Sequence, residues 1–222
     1  MARLFGDNNT LSLRFESGTF GVASGGRLWL GLVQSADVDE QTNVIPTRYL
    51  GTGTRNVDQW IDGAKDVSFT LSYFPQDWRM LVTALGSNVD GGSPSPYTHV
   101  ISEINSASGA PFTSGAMNPF TSYTLEASAK GAATGENFIR TLVGCNTNTW
   151  TLNASQGEII SVDVDGMAQD VIFTSGAITA PTEETTRPFL WRDVKVHIPS
   201  VTVVPEFKTM TFSVNNNLEV AH

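Results

Sequence analysis

Two aspartates followed by a glycine, Asp163, Asp165 and Gly166, are the residues of this sequence that most resemble part of a metal site. A helix–loop–helix calcium loop needs further oxygen ligands along its length and ends on a bidentate glutamate. Here the supply of ligands stops after the two carboxylates. An Asp-Gly pair between two apolar runs predicts a tight hairpin turn instead. The sequence therefore predicts no metal site.

The residues that could serve as a nucleophile, a base or a cofactor cradle are isolated from one another. His99, His197 and His222 show no paired spacing, and no G-x-S-x-G nucleophile elbow occurs. Cys145 follows Gly144 between a predicted strand and a predicted turn, has no helix start to activate its thiol, and is expected to be a small buried residue. Residues 51–56 lack the third glycine of a dinucleotide loop, and no helical pattern follows them. We predict no catalytic residue, no cofactor and no enzymatic activity.

The composition bounds the class of protein. The 222 residues include 13 Lys and Arg against 22 Asp and Glu, for a net charge of −9. Nucleic-acid binding relies on Lys and Arg that displace counterions, so this balance argues against a DNA- or RNA-binding protein. No run approaches the ~20 apolar residues of a membrane helix, and the N-terminus has no secretory pattern. We expect a soluble single domain, residues 1–222, with no membrane partner.

Alternation of apolar and polar residues is the dominant pattern along the chain. Segments in which every second residue is apolar predict strands that bury one face and leave a Ser, Thr or Asp face outside. These segments are 11–15, 66–74, 123–127, 160–165 and 209–214, and further strands are predicted at 27–34, 97–104, 137–143, 147–153 and 167–173. The predicted fold is mainly β, an antiparallel β-sandwich or barrel.

One segment has helical spacing instead. Between residues 76 and 86, Trp78, Leu81, Val82 and Leu85 form an apolar stripe, and Gly86 is placed to end the helix in a left-handed conformation. This predicts one flanking helix. Three stretches without periodicity are predicted to be loops: residues 35–64 as a long loop or hairpin, 87–119 as a loop-rich insertion, and 174–188.

The order of several motifs resembles a known family. Residues 140–152, with Gly144, Cys145 and Trp150, are followed by the alternating run 157–166, and residues 207–218 end in an Asn-Asn-Asn run. Together with residues 49–53 and the predicted strand and helix after them, these segments are similar to the tail tube proteins (major tail proteins) of long-tailed phages and archaeal tailed viruses. The resemblance covers most of the chain, except residues 86–120.

The resemblance implies a β-sandwich that forms six-membered rings, which stack into a tube through which the genome passes. Its partners would be copies of itself, other tail proteins and, in transit, viral DNA. Its location would be the virion tail, after assembly in the host cytoplasm. The hairpin residues expected at the ring-to-ring contact are Val44, Ile45, Tyr49, Leu50 and Arg55. The residues expected to line the channel are Ser161, Asp163, Asp165, Thr209, Thr211 and Ser213.

Two alternatives belong to other classes. The first is another viral β-structural protein, such as a tail-tip or capsid-decoration subunit, or the tube protein of a secretion system. The second, more remote, is a carbohydrate-binding β-sandwich, which would present exposed tryptophans such as Trp60 or Trp191 as a platform for a sugar. Particle shape in the electron microscope distinguishes the first from a tail tube, and glycan binding tests the second.

Overall fold

A computed structural model describes residues 9–16, 20–47, 59–91, 98–103, 122–130, 137–194 and 208–219. Its strands are β1 Asn9–Phe15, β2 Leu28–Trp29, β3 Leu32–Thr47, β4 Gln59–Phe74, β5 Gly86–Gly91, β6 Thr98–Glu103, β7 Tyr123–Ala129, β8 Phe138–Ser155, β9 Ser161–Ala168, β10 Asp170–Thr174 and β11 Thr209–Asn215. The helix α1 spans Arg79–Leu85, and a 3-10 turn spans Trp191–Asp193. No described helix has the length and apolar character needed to cross a membrane.

The long strand β8 belongs to two antiparallel sheets. Its first half pairs with β7 and β10, giving a first sheet in the order β2-β1-β7-β8-β10. Its second half pairs with β9 and β11, giving a second sheet in the order β11-β8-β9-β4-β3. The predicted fold class, a mainly antiparallel β-sandwich with a flanking helix, is confirmed.

The hydrophobic core lies between these two sheets. In β4 the predicted alternation is confirmed, because the inward residues are buried and Ser68 and Thr70 are exposed. Across the core, the rings of Phe69 and Tyr123 meet edge to face, with 6.3 Å between centroids. The buried apolar residues of the second sheet include Val67, Phe69, Leu71, Tyr73, Trp150, Leu152, Val162 and Val164.

The first sheet departs from the prediction that each strand leaves its polar face outside. In β7 the polar residues Thr124, Glu126 and Ser128 are also buried. Their polar groups are satisfied within the protein, as buried polar groups require. Glu126 forms a bidentate pair with Arg27 at 2.8 Å, and Thr124 donates a hydrogen bond of 2.8 Å to Glu16.

The predicted turns at Gly144–Cys145 and at Asp165–Gly166 were wrong. Gly144 lies within β8 with φ of +63°, at the point where the strand passes from the first sheet to the second. Gly166 lies within β9, where a Cβ atom would stand 2.3 Å from the Phe69 ring. Gly144 therefore allows β8 to bend, and Gly166 leaves room for the Phe69 side chain next to β9.

We predict that Gly166→Ala destabilises the protein by about 1–3 kcal/mol, because the added methyl group overpacks the core against Phe69. Urea denaturation of the purified protein measures this loss. Gly176→Ala is the matched control, since a Cβ at Gly176 meets nothing within 4 Å. Equal stability of the two variants would show that Gly166 is not needed for close packing.

The helix is shorter than predicted, and its most buried face differs from the apolar stripe. The stripe residues are only half-buried, whereas Met80, Thr83 and Ala84 are fully covered. The prediction left out Thr83 because it is polar. Its hydroxyl lies 2.8 Å from that of Thr147, and this hydrogen bond satisfies the side chain in the interior. The cap is confirmed: Gly86 is left-handed, and its N–H donates to the Val82 carbonyl.

The stretches predicted as loops contain hairpins. Residues 35–47 and 59–64 form the outer parts of β3 and β4, which pair as far as Thr47 opposite Gln59, and residues 48–58 lie outside the described part of the chain. In the predicted insertion 87–119, β5 and β6 form a second hairpin, and residues 104–121 lie outside the described part of the chain. Residues 175–189 have no regular structure, as predicted for 174–188.

Candidate assembly surfaces

The six residues predicted to line a channel lie on one face of the second sheet. Directly opposed residues of antiparallel strands point to the same side. Ser213 of β11 opposes Thr151 of β8, and Thr151 opposes Asp163 of β9. The polar face formed in this way includes Ser35, Asp37, Asp39, Gln41, Asp66, Ser68, Thr70, Ser72, Thr149, Thr151, Asn153, Ser155, Ser161, Asp163, Asp165, Thr209, Thr211, Ser213 and Asn215.

Hydrogen bonds between neighbouring strands organise the polar face. The hydroxyls of Thr151 and Ser213 lie 3.0 Å apart, and the Asn153 amide donates to Asp163 at 3.0 Å. Thr211 donates to the Asn153 side-chain oxygen at 3.3 Å. Side chains from β8, β9 and β11 are therefore linked, and the sequence alone could not show that these strands are neighbours.

The charge on the polar face has a single sign. Its ionisable groups are the carboxylates of Asp37, Asp39, Asp66, Asp163 and Asp165, and no Lys or Arg of the described strands lies on it. The two residues first considered as a calcium site, Asp163 and Asp165, belong to this extended surface. No group of three metal-binding side chains occurs among the described residues. The arrangement offers a hydroxyl-rich, anionic wall.

The opposite side of β11 is apolar and incompletely covered. Met210 and Val214 pack against the core, but Phe212 is 46% exposed although its ring lies 6.2 Å from that of Trp150. The sequence pattern predicted that all of these apolar residues would be buried. The difference arises because β11 is an edge strand, with β8 as its only neighbour among the described strands.

Both outer strands of the second sheet have a free edge within the described residues. β3 pairs with β4 alone, and β11 pairs with β8 alone. The run Thr209–Asn215 contains neither a charged residue nor a proline. Proteins usually protect exposed edges with such residues, so β11 has the character of a strand that pairs with another chain.

The end of β11 is held in place by an asparagine. The Asn216 side-chain amide donates to the carbonyls of Ala84, at 3.0 Å, and Thr147, at 2.9 Å. The Asn148 side chain in turn accepts a hydrogen bond of 2.8 Å from the Leu218 N–H. The Asn run of the sequence thus fastens the edge strand to the helix and to β8.

The hairpin of β3 and β4 extends beyond the sandwich as an arm, defined here as residues 43–47 and 59–63. Its apolar side chains are unusually exposed: Val44 40%, Ile45 48%, Trp60 64% and Ile61 43%. Ile45 opposes Ile61 on one side of the arm, while Val44 and Trp60 lie on the other. Both sides of the arm are therefore apolar.

Val44 and Ile45, predicted at the ring-to-ring contact, lie on the arm. Tyr49, Leu50 and Arg55, predicted for the same contact, lie in residues 48–58, outside the described part of the chain. Trp60 and Ile61 also lie on the arm, although they were not among the residues predicted for this contact. In the register of β3 and β4, Ile61 lies opposite Ile45 and Trp60 lies opposite Pro46, so both are placed beside the Val-Ile pair by the strand pairing.

The other candidates for chemistry do not form a site in the described residues. Cys145 is fully buried, as predicted, and burial raises the pKa of its thiol. The side chain of His99 and all of His197, His222 and residues 51–56 lie outside the described residues. Of the tryptophans considered for sugar binding, Trp60 is exposed and Trp191 is half-buried.

The sequence matches the family of phage tail tube proteins over residues 6–222. The chain belongs to the phage tail tube protein family. The resemblance inferred from the order of the motifs is thus confirmed. Tail tube proteins are structural components of the tail of a virion or a phage-like particle. No curated protein matches this tail tube protein.

Solved structures with detectable similarity include chains from an extracellular contractile injection system and from the anti-feeding prophage. One is a chain of the sheath-tube complex of an extracellular contractile injection system, PVC, in the extended state, with 11% identity and a TM-score of 0.40, covering 75% of this tail tube protein and 89% of that chain. Another is a chain of the anti-feeding prophage baseplate, with 9% identity and a TM-score of 0.41, covering 78% and 97%. The family assignment comes from the sequence match.

Proposed function

We propose that this protein is the structural subunit of a viral tail tube, forming hexameric rings that stack into a hollow tube, and that it has no enzymatic role. The observation that carries the proposal is the second sheet, which among the described strands has a free edge at either end, one polar anionic face and one apolar face. A sheet of this kind closes into a wall when each edge pairs with a neighbouring copy.

The polar face suits the inside of the wall. Its side chains are mainly Ser, Thr and Asp, which are small enough for the concave side of a curved sheet. The side that carries the core would face outward, where the first sheet covers it. The predicted channel residues Ser161, Asp163, Asp165, Thr209, Thr211 and Ser213 would then line the lumen.

An anionic lumen suits passage of DNA without retention. Protein–DNA affinity comes largely from cations that neutralise phosphates. A wall with carboxylates and no Lys or Arg would repel the backbone and leave viral DNA only transient, non-specific contacts. The remaining partners would be copies of the chain and other tail proteins, in a virion tail assembled in the host cytoplasm.

The arm would join one ring to the next. Exposed apolar side chains on both of its sides need a partner surface in the assembly. The proposed ring-to-ring contact consists of Val44, Ile45, Trp60 and Ile61 on the arm, together with Tyr49, Leu50 and Arg55.

Negative-stain electron microscopy of the purified protein tests the function. We expect rings with six-fold symmetry and, at higher protein concentration, tubes with a stain-filled channel. Sedimentation at the same concentrations measures the assembled fraction. A species that stays monomeric at high concentration and moderate salt would contradict the proposed function.

A further inference from the structure

We infer that β11 of one subunit pairs with β3 of the next subunit in parallel, within an otherwise antiparallel wall. This inference rests on the proposed function, in that it assumes a ring of copies related by rotation. It goes further by naming the two edges that meet and the direction in which their strands run.

The direction follows from the strand order of the second sheet. From β3 to β11 the chain passes through β4, β9 and β8, and each neighbouring pair is antiparallel. Four reversals leave β11 running in the same sense as β3. The two edge strands that are free among the described strands therefore run in the same direction.

Rotation about the tube axis preserves that sense in every copy. When β11 of one subunit meets β3 of its neighbour, both strands run toward the same end of the tube, and their pairing is parallel. The result holds for any number of subunits in the ring. Parallel pairs within one chain need a long crossover connection, but no connection is needed between two chains.

The charges favour this pair of edges over a symmetric dimer of β3 edges. β3 carries Asp37, Asp39 and Glu40 close together, whereas β11 carries no charge between Thr209 and Asn215. Two β3 edges related by a two-fold axis through Val38 would place Asp37 opposite Asp39 of the other copy, and like charges directly opposite are unfavourable. An uncharged β11 avoids this repulsion.

The two faces of the strands also match. On β11, Thr211 and Ser213 lie on the polar face and Phe212 on the apolar side; on β3, Asp37 lies on the polar face and Val38 on the apolar side. When the polar residues of β11 lie beside the polar residues of β3, the lumen wall continues without a break from one subunit to the next. It also places the half-exposed Phe212 beside the apolar row of β3, where the neighbour covers it.

Cysteine cross-linking in assembled tubes tests the inference. One set of variants combines Ser213→Cys with Ser35→Cys, Asp37→Cys or Asp39→Cys, and a second set combines Thr211→Cys with the same three. Cys145 stays in place because it is fully buried. Two residues further along a strand, the Cα atom has moved by roughly 6.6 Å, which is too far for a disulfide. In each set, one β3 residue should therefore give about tenfold more cross-linked dimer than the other two. The pair Glu183→Cys and Asp37→Cys, with Glu183 in an exposed loop, is the control.

In parallel strands, moving two residues back along β11 also moves the partner two residues back along β3. The β3 residue that cross-links to residue 211 should therefore precede by two the one that cross-links to residue 213. Denaturing gels should show a ladder that extends beyond the dimer. A partner position two residues later, or a product that stops at the dimer with Ser213→Cys alone, would overturn the inference. Tubes without a cross-link at any of the β3 positions would overturn it while leaving the tail tube function intact. A wild-type chain that forms neither rings nor tubes would overturn the function and the inference together.

Discussion

Replacing residues 43–64 with an Asn-Gly turn is expected to leave a folded subunit that no longer forms tubes. Thr42 directly opposes Lys65, so a two-residue turn closes the shortened hairpin, and Asn-Gly suits such a turn. The core residues and the ion pairs of Lys65 with Glu40 and Asp170 remain. The variant loses the arm, residues 48–58 and Ala64.

The size of this effect follows from the exposed apolar surface of the arm. Val44, Ile45, Trp60 and Ile61 would each contribute about 1 kcal/mol on burying their exposed part, about 4 kcal/mol together, which corresponds to a roughly thousandfold higher critical concentration for assembly. Sedimentation of tubes over a range of protein concentrations measures this value. Thermal unfolding provides the control, because the shortened subunit should unfold close to the wild-type temperature. Tubes at the wild-type critical concentration would show that the arm does not join the rings.

Reversing the charge of the proposed lumen is expected to convert a passive channel into one that retains DNA. In the double variant Asp163→Lys, Asp165→Lys, each subunit presents two cations on the polar face, where both aspartates are exposed. DNA that contacts about six of the introduced lysines would bind tightly at 50 mM salt and lose roughly a thousandfold in affinity by 200 mM salt. Co-sedimentation of a labelled oligonucleotide with assembled tubes measures the binding.

The matched control is Asp163→Asn, Asp165→Asn, which removes the same negative charges without adding positive ones. It should form tubes and bind little DNA, because Asn cannot displace counterions from phosphates. If the lysine tubes bound no more DNA than the asparagine tubes at low salt, these two residues would not face a channel that admits DNA. The position of the polar face in the wall would then have to be reconsidered.

The strands that could be predicted from the sequence are those with one covered face. In β4 and β9 the alternation of Val67 with Ser68, or Val164 with Asp163, reports directly which side meets the core. In β7 the same reasoning was incomplete, because Glu126 is buried with Arg27 and an ion pair leaves no periodic signal. Whether a polar residue of this kind is buried depends on which strands, distant in sequence, pair with its own strand.

The glycines were misinterpreted for a related reason. A glycine in a strand is equally compatible with a turn, a bend and a close approach of another group, and single-sequence reasoning favoured the turn. Gly144 bends β8 between two sheets, and Gly166 lies against the Phe69 ring. The prediction of the candidate surfaces had a similar limit, because one sequence shows alternation but does not show which strands are neighbours. The residues proposed to line a channel were chosen by their alternation, but their position on one face depends on β11 lying beside β8.

The continuity of β8 has a mechanical consequence. A single backbone, from Phe138 to Ser155, forms part of both layers of the sandwich. Tension on one layer is therefore transmitted to the other through covalent bonds as well as through side-chain contacts. A tube built from such subunits would resist sliding of its inner layer against its outer layer, so that bending strains each subunit as a unit.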